Sequence, residues 1–292
     1  MRNLSPLKLR GLALVFLLVG IGLVTGVTYY NKNIVQPSPY LVVHFLDVGQ
    51  GDAIFIETPD RVQVLIDGGP DGSVIRELGE VMSPFDKTID LVIATHNDKD
   101  HIGGLIDVLA RYQVSAIMRT NNQHDTSVVQ QFTKQVEAEQ AVLISPEAGQ
   151  RYIVGASTTL TVFSPVGDVS DHESNASSVV VKLDYGGTSF FLTGDAPIGI
   201  EEYLAKAYPA ELSSTVLKLG HHGSRTSSSA VFLASVLPAY SVVSASAGNS
   251  YGHPHAEVVE NVKSVDSTLL STAEMGRISF YSDGERVWVK NK

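Results

Sequence analysis

Leu91-Val92-Ile93-Ala94-Thr95-His96-Asn97-Asp98-Lys99-Asp100-His101-Ile102-Gly103-Gly104 is the stretch on which the reading of this chain turns. An apolar run of strand character stops at Thr95, and four potential metal ligands, His96, Asp98, Asp100 and His101, follow within six residues. A solvated loop has no reason to gather imidazoles and carboxylates there. A divalent cation does, because several donors must replace its water shell from different directions at once. The apolar Leu91–Ala94 run anchors the start of the loop in a packed core, which keeps a ligand set rigid.

Three further stretches carry the same signature of strand, then glycine, then acid or histidine. They are Leu46-Asp47-Val48-Gly49-Gln50-Gly51-Asp52-Ala53, Leu192-Thr193-Gly194-Asp195-Ala196 and Leu217-Lys218-Leu219-Gly220-His221-His222-Gly223-Ser224. Together with His96-x-Asp98-x-Asp100-His101 they resemble the ordered motifs of the metallo-β-lactamase superfamily. Asp98 stands where that superfamily usually has a second histidine, and this variant is similar to the metallo-β-lactamase-like domain of the ComEC competence family. The resemblance covers about residues 40 to 290.

Composition sets the frame. At 292 residues the chain suits one large domain or two small ones, and 43% hydrophobic residues are ample for a core. With no cysteine, disulfides, thiolate ligands and cysteine nucleophiles are excluded, so any metal must sit on histidine nitrogen and carboxylate oxygen. Gly11 to Tyr30 is an uncharged, mostly apolar run preceded by Arg2, Lys8 and Arg10. It is long enough to span a bilayer, and the basic flank places residues 1–10 in the cytoplasm. A cleavable signal peptide is the rival reading, with Val24-Thr25-Gly26 as a cut site; the length of the run favours a single-pass anchor at 11–30. Residues 31–39 then form a linker with two prolines, leaving 40–292 as an extracytoplasmic domain. Beyond Tyr30, 18 Lys and Arg face 31 Asp and Glu, a formal charge of −13. That argues against broad, sequence-blind coating of nucleic acid.

Along the chain, strands are expected at Tyr40–Leu46, Ala53–Glu57, Val62–Ile66, Val114–Met118, Val142–Ile144, Tyr152–Val154 and Leu160–Phe163. Helices are expected at Val74–Met82, Ile102–Tyr112 and Ser127–Gln140. The second half repeats the order. A Ser178–Tyr185/Ser189–Thr193 hairpin turns at Gly186-Gly187, and strands follow at Val216–Leu219, Ser241–Ser246, Ile278–Tyr281 and Val287–Val289. Helices at Ile200–Tyr208 and Ser228–Val236 separate them, and a further one starts near Pro254. Strands followed by alternating strand and helix, twice, suggest two sheets face to face with helices outside. The resemblance implies the corresponding four-layer αββα sandwich, an α/β (α+β) fold, with the site along one sheet edge.

The resemblance also assigns roles. His96, Asp98, Asp100, His101, Asp195 and one late histidine would hold two divalent ions, Zn or Mn, with Asp195 as the bridge. Asp67, at the strand-ending Asp67-Gly68-Gly69, would orient the motif loop from behind. By chain order the last histidine is His221 or His222, with His221 favoured, and His253 in Tyr251-Gly252-His253-Pro254-His255 is a rival. Asn175 and Ser178 occupy the region of the missing third-motif histidine, which makes the first metal position oxygen-rich and suited to Mn²⁺. Asn175, Ser178, Ser224 and Asp52 are candidate substrate contacts; for Asp52 a structural turn weighs equally. Asp100 would serve catalysis through the metal, and His222 or His253 would protonate the leaving group. A water acidified by the cations would attack a phosphorus or acyl centre.

These expectations describe a membrane-anchored metal-dependent hydrolase acting on phosphoesters, a phosphodiesterase or nuclease, with single-stranded or extracellular DNA among its substrates. A cell-envelope phosphoester esterase, for instance of phosphocholine, fits the same residues. A non-catalytic binding module that kept the fold is the alternative from a different class. β-Lactam hydrolysis is disfavoured by the missing histidines, and no protein partner is expected.

Overall fold

The computed structural model describes residues 38–290. The expected basic tail (1–10), transmembrane anchor (11–30) and most of the linker (31–39) lie outside the described residues. Among the described residues no helix is long and apolar enough to cross a membrane.

The first half builds strands β1 (Leu41–Phe45), β2 (Ile54–Glu57), β3 (Gln63–Ile66), β4 (Thr88–Ala94), β5 (Gln113–Arg119) and β6 (Val142–Ile144). Helices α1 (Ser73–Val81), α2 (Lys99–Leu109) and α3 (Ser127–Glu139) alternate with the later ones. The second half builds β7 (Arg151–Ile153), β8 (Thr158–Ser164), β9 (Val180–Tyr185), β10 (Thr188–Leu192), β11 (Val216–Lys218), β12 (Tyr240–Val243) and β13 (Thr268–Ser271). Its helices are α4 (Ile198–Ala207), α5 (Ala230–Val236), α6 (Ala256–Ser264) and the short α7 (Thr272–Met275). Strands β14 (Ile278–Ser282) and β15 (Val287–Lys290) return to the first sheet beside β1.

Two sheets result, ordered β15-β14-β1-β2-β3-β4-β5-β6 and β13-β12-β11-β10-β9-β8-β7. Their apolar patterning explains the layering. Val43, Phe45, Ile56, Val64 and Ile93 of the first sheet join Val181, Phe190, Leu192, Val216 and Val242 of the second in one core. The outer face of the first sheet carries Phe55, Leu65, Val92 and Ile117, covered by Val74, Leu78, Ile102, Leu105 and Phe132 from the helices. The outer face of the second carries Phe191, Leu217 and Val243, covered by Leu204, Phe232, Leu233 and Val258. A strand buried on both faces reads as a continuous apolar run, as Leu91–Ala94 does. The expected sandwich with helices outside is the architecture found.

Helix α2 starts at Lys99, three residues before the expected Ile102, and ends at Leu109. Asp100 and His101 therefore lie in its first turn, where a carboxylate meets the positive end of the helix dipole. The Gly103-Gly104 pair permits close packing of this helix: a Cβ on Gly104 would run into the Gly68 carbonyl. Only glycine lets the helix lie directly against the Asp67-Gly68-Gly69 turn. β13 and α7 were not expected, because Thr268–Met275 alternates neither with period two nor with helical spacing.

Parallel pairs β3–β4, β10–β11 and β11–β12 run in register, so their C-terminal ends collect on common sheet edges. Asp67, Thr95, Gly194 and Leu219 follow those ends directly or within two residues. In sheets of this kind the carboxyl ends of strands are where loops can converge on a ligand.

Candidate metal centre

Asp67 organises the motif loop. Its carboxylate accepts hydrogen bonds from Thr95 N (2.8 Å), Thr95 Oγ1 (2.7 Å) and His101 Nδ1 (2.8 Å). Since the one Thr95 hydroxyl proton goes to Asp67, Thr95 Oγ1 must accept from His96 Nδ1 at 3.0 Å. His222 Nδ1 likewise donates to the Ser244 carbonyl at 3.0 Å. Three histidines thus have Nδ1–H committed, and each turns Nε2 toward the same space. Thr95 as the link between Asp67 and His96 was missed in the sequence; a threonine between an apolar run and a histidine is its only mark.

Asp195 stands at the centre. Its Oδ2 lies 3.3 Å from His101 Nε2, 3.4 Å from His222 Nε2 and 4.0 Å from His221 Nε2. His222 Nε2 is also 3.2 Å from Asp100 Oδ2, and His96 Nε2 is 3.7 Å from Asp98 Oδ2. Asp52, His101, Asp195 and His222 offer donor atoms within 4.8 Å of one another, and all four are buried. His96 Nε2, His101 Nε2, Asp195 Oδ1, Asp52 Oδ1 and Asn175 Oδ1 are buried without a hydrogen-bond partner. Buried polar atoms are paired as a rule, so this set of unused nitrogen and oxygen lone pairs is what a cation site requires. The donors fit divalent metal.

The electrostatics agree. Burial alone would depress His101, but the Asp195 and Asp67 carboxylates outweigh it and raise its pKa well above the usual imidazole value. Burial also opposes the charge on His222, yet Asp195 and Asp52 push it up to about 9. Burial opposes the charge on Asp195, which is nevertheless held well below the carboxylate range by His222 and His101. In the metal-free chain these carboxylates favour the protonated imidazoles, and a cation bound at the Nε2 atoms would displace those protons.

Several expected roles change. The histidine brought between Asp100 and Asp195 is His222, whereas the favoured His221 lies at the rim with its side chain 30% exposed. Both adopt left-handed backbone, at φ 48° and 54°, at a cost of about 1–2 kcal/mol per residue, and this turn projects the two rings differently. His253 packs its ring near His221 and His222, with centroids 5.9 and 6.4 Å away, and its Nδ1 is buried without a hydrogen-bond partner. Burial and the neighbouring histidines lower its pKa to about 4, which favours the neutral ring in the metal-free chain. Of the expected substrate contacts, Ser178 Oγ accepts from Asp195 N (3.2 Å). Ser224 Oγ accepts from Thr226 Oγ1 (3.0 Å), which His221 Nδ1 approaches to 2.9 Å. Both serines are buried and serve the loops, not the opening. Asp52 is buried as well, ion-paired with Lys218. Asn175, in a single helical turn at Asn175–Ser177, has its Oδ1 buried without a hydrogen-bond partner.

The sequence profile of the metallo-beta-lactamase superfamily matches residues 46–246. The chain belongs to the metallo-β-lactamase superfamily. Within it, the chain is 31% identical over 260 residues to ComE operon protein 3 of Bacillus subtilis (strain 168), covering 82% of this chain and 32% of that protein. It is 29% identical over 259 residues to Competence protein ComA of Neisseria gonorrhoeae, covering 88% and 34%. The superfamily domain is thus of the ComEC kind, and the chain spans about a third of the length of these relatives. Among solved structures, the metallo-beta-lactamase fold protein YhfI from Bacillus subtilis superposes with a TM-score of 0.54 over 80% of this chain and 96% of that one. At 13% identity this likeness establishes the fold alone. The superfamily fold is that of metal-dependent hydrolases, and the Asp/His cluster found here is suited to holding metal.

Proposed function

We propose that this metallo-β-lactamase domain hydrolyses phosphoester bonds with two divalent cations, as a phosphodiesterase or nuclease. The observation that carries the reading is the set of buried, unpartnered Nε2 and carboxylate oxygens converging on Asp195. Asp100, His101, His222 and Asp195 would hold one cation, and His96, Asp98 and Asn175, with Asp195 shared, the other. The second set has one imidazole and otherwise oxygen, which favours Mn²⁺ over Zn²⁺. Bound there, a metal pair supplies Lewis-acid polarisation of a phosphoryl oxygen and acidifies a water for in-line attack.

The protein's own residues do the rest. Asp67 and Thr95 lock the tautomers of His101 and His96, so that Nε2 and not Nδ1 faces the reacting atoms. Asp98 and Asp100, partly exposed, border the open side, and His221 Nε2 faces it as a hydrogen-bond acceptor for substrate or water. Five carboxylates, those of Asp52, Asp67, Asp98, Asp100 and Asp195, gather around the centre. Such hard oxygen donors go with hard phosphate oxygens.

The relatives' names concern competence and recombination, which supports a nucleic-acid substrate. The acidity of the chain beyond Tyr30 favours the second reading, a small cell-envelope phosphoester such as a phosphocholine ester. We place the domain outside the cell, tethered by residues 11–30; fractionation tests this, since a domain free in the medium and beginning near Val27 would show that the segment is cleaved. The activity test is turnover of bis-p-nitrophenyl phosphate by the full chain with Mn²⁺ or Zn²⁺, compared with Asp100→Ala and Asp195→Ala. A loss of at least about 100-fold in both variants is expected. Unchanged turnover in both would leave the fold as a binding module.

A further inference from the structure

Lys218 ends β11, and its side chain is wholly buried, 0% exposed. Its neighbours Leu217 and Leu219 pack in the apolar layer beneath α4–α6, so a strand-end lysine here has no route to solvent. The ammonium meets Asp52 Oδ2 in a close ion pair. It also lies 3.8 Å from Asp195 Oδ1 and 3.5 Å from the Gly194 carbonyl, on the side of Asp195 turned away from His101 and His222. An unpaired buried charge is costly, and a buried ion pair adds little net stability over a well-packed apolar pair, so the Lys218–Asp52 pair beside Asp195 calls for another reason.

We propose that Lys218 is a permanent internal cation of the metal centre: it holds Asp52 and the inner oxygen of Asp195 in place in the metal-free chain, and by its charge it limits how tightly the centre binds divalent cations. The inference rests on reading the cluster as a metal centre. Charge counting supports it. Five carboxylates surround the centre, and two divalent cations supply four positive charges; Lys218 supplies the fifth, so the filled centre with neutral imidazoles is balanced. Lys218 is a positioning residue, since Asp52 and Asp195 stand between it and the opening.

The test compares wild type, Lys218→Met and the double variant Asp52→Asn/Lys218→Met, each as the full chain. Mn²⁺ stoichiometry and affinity are measured by calorimetry, and Tm with and without Mn²⁺. Lys218→Met keeps the length of the side chain and removes the charge. It is expected to lower the Tm of the metal-free protein more than that of the Mn²⁺-loaded protein, and to bind Mn²⁺ at least about tenfold more tightly, because a like charge close to the ion has gone. The double variant removes the pair as a unit. Its metal-free Tm should exceed that of Lys218→Met, and because it loses one charge of each sign its Mn²⁺ affinity should stay within about threefold of wild type; if the single variant does not fold, a double variant that departs further than this from wild type would overturn the charge account. Equal Tm losses with and without metal in Lys218→Met, with unchanged affinity, would overturn the proposal and reduce the lysine to packing. A wild-type protein that binds no Mn²⁺ or Zn²⁺ would instead overturn the reading of the metal centre.

Discussion

His222 Nε2 and Asp100 Oδ2 lie 3.2 Å apart across 122 positions of sequence. One belongs to the first turn of the helix after β4 and the other to the turn after β11, so this contact joins the edges of the two sheets. It follows that His222 and His221, adjacent in sequence, differ in consequence. His222→Ala should remove one of the two bound cations or weaken its affinity by at least about 100-fold, while His221→Ala should lower turnover with both cations retained. Calorimetric titration with Mn²⁺ distinguishes them, and the reverse order would exchange their roles.

Asp67 touches Thr95 and His101, not the opening. Asp67→Asn keeps the shape but places an amide where two donors need an acceptor, which releases the tautomers. Metal affinity should drop by about 10–100-fold, with Tm of the metal-free protein falling as well. Metal titration of this variant beside wild type makes the comparison, and unchanged affinity would show that the orienting bonds are dispensable.

The pH dependence has a definite sign. His101 and His222 have raised pKa values in the metal-free chain, where opposing burial is outweighed chiefly by Asp195. A raised histidine pKa stabilises the fold fully below the ordinary imidazole value, and that contribution is lost as pH rises through the folded value. For His222 the window runs from about 6.5 to about 9. The metal-free Tm should therefore fall across this range, and the Mn²⁺-loaded Tm should not, since the cation replaces the protons. Metal affinity should weaken on acidification. Calorimetric scans at several pH values read both curves; a metal-free Tm that is flat from pH 6.5 to 9 would contradict the charge assignment.

Gly104 meets the Gly68 carbonyl with no room for a side chain. Gly104→Ala should destabilise the protein by about 1–3 kcal/mol, and should also move Asp67 relative to His101. Chemical denaturation measures the first effect and Mn²⁺ titration the second. A fully stable Gly104→Ala protein would show that helix α2 can shift without cost.

Much of this was legible in the sequence for a physical reason. Strands such as Leu91–Ala94 and Leu217 onward are buried on both faces, so they appear as apolar runs, and the ligands come directly after them. The His96-x-Asp98-x-Asp100-His101 stretch marks one strand end without needing the rest of the chain. What stayed hidden depends on backbone direction. Adjacent residues in the His221-His222 turn point apart because both take left-handed φ, and sequence order favoured the wrong one as the inner ring. Ser178 and Ser224 read as substrate contacts from their places in the motifs, and Asp52 equally as a turn residue, yet in the structure all three are buried and brace the loops from within. Lys218, flanking the histidines, reads in the sequence as a residue for meeting substrate, yet it is wholly buried. The clue to its burial was a lone charge between Leu217 and Leu219 on a central strand.

The most direct test of the central claim is metal content. The full chain, loaded with Mn²⁺ or Zn²⁺ and freed of excess, should carry two ions per chain by inductively coupled plasma mass spectrometry, and Asp195→Ala no more than one. A wild-type chain carrying none, or an Asp195→Ala chain carrying as many as wild type, would contradict the account.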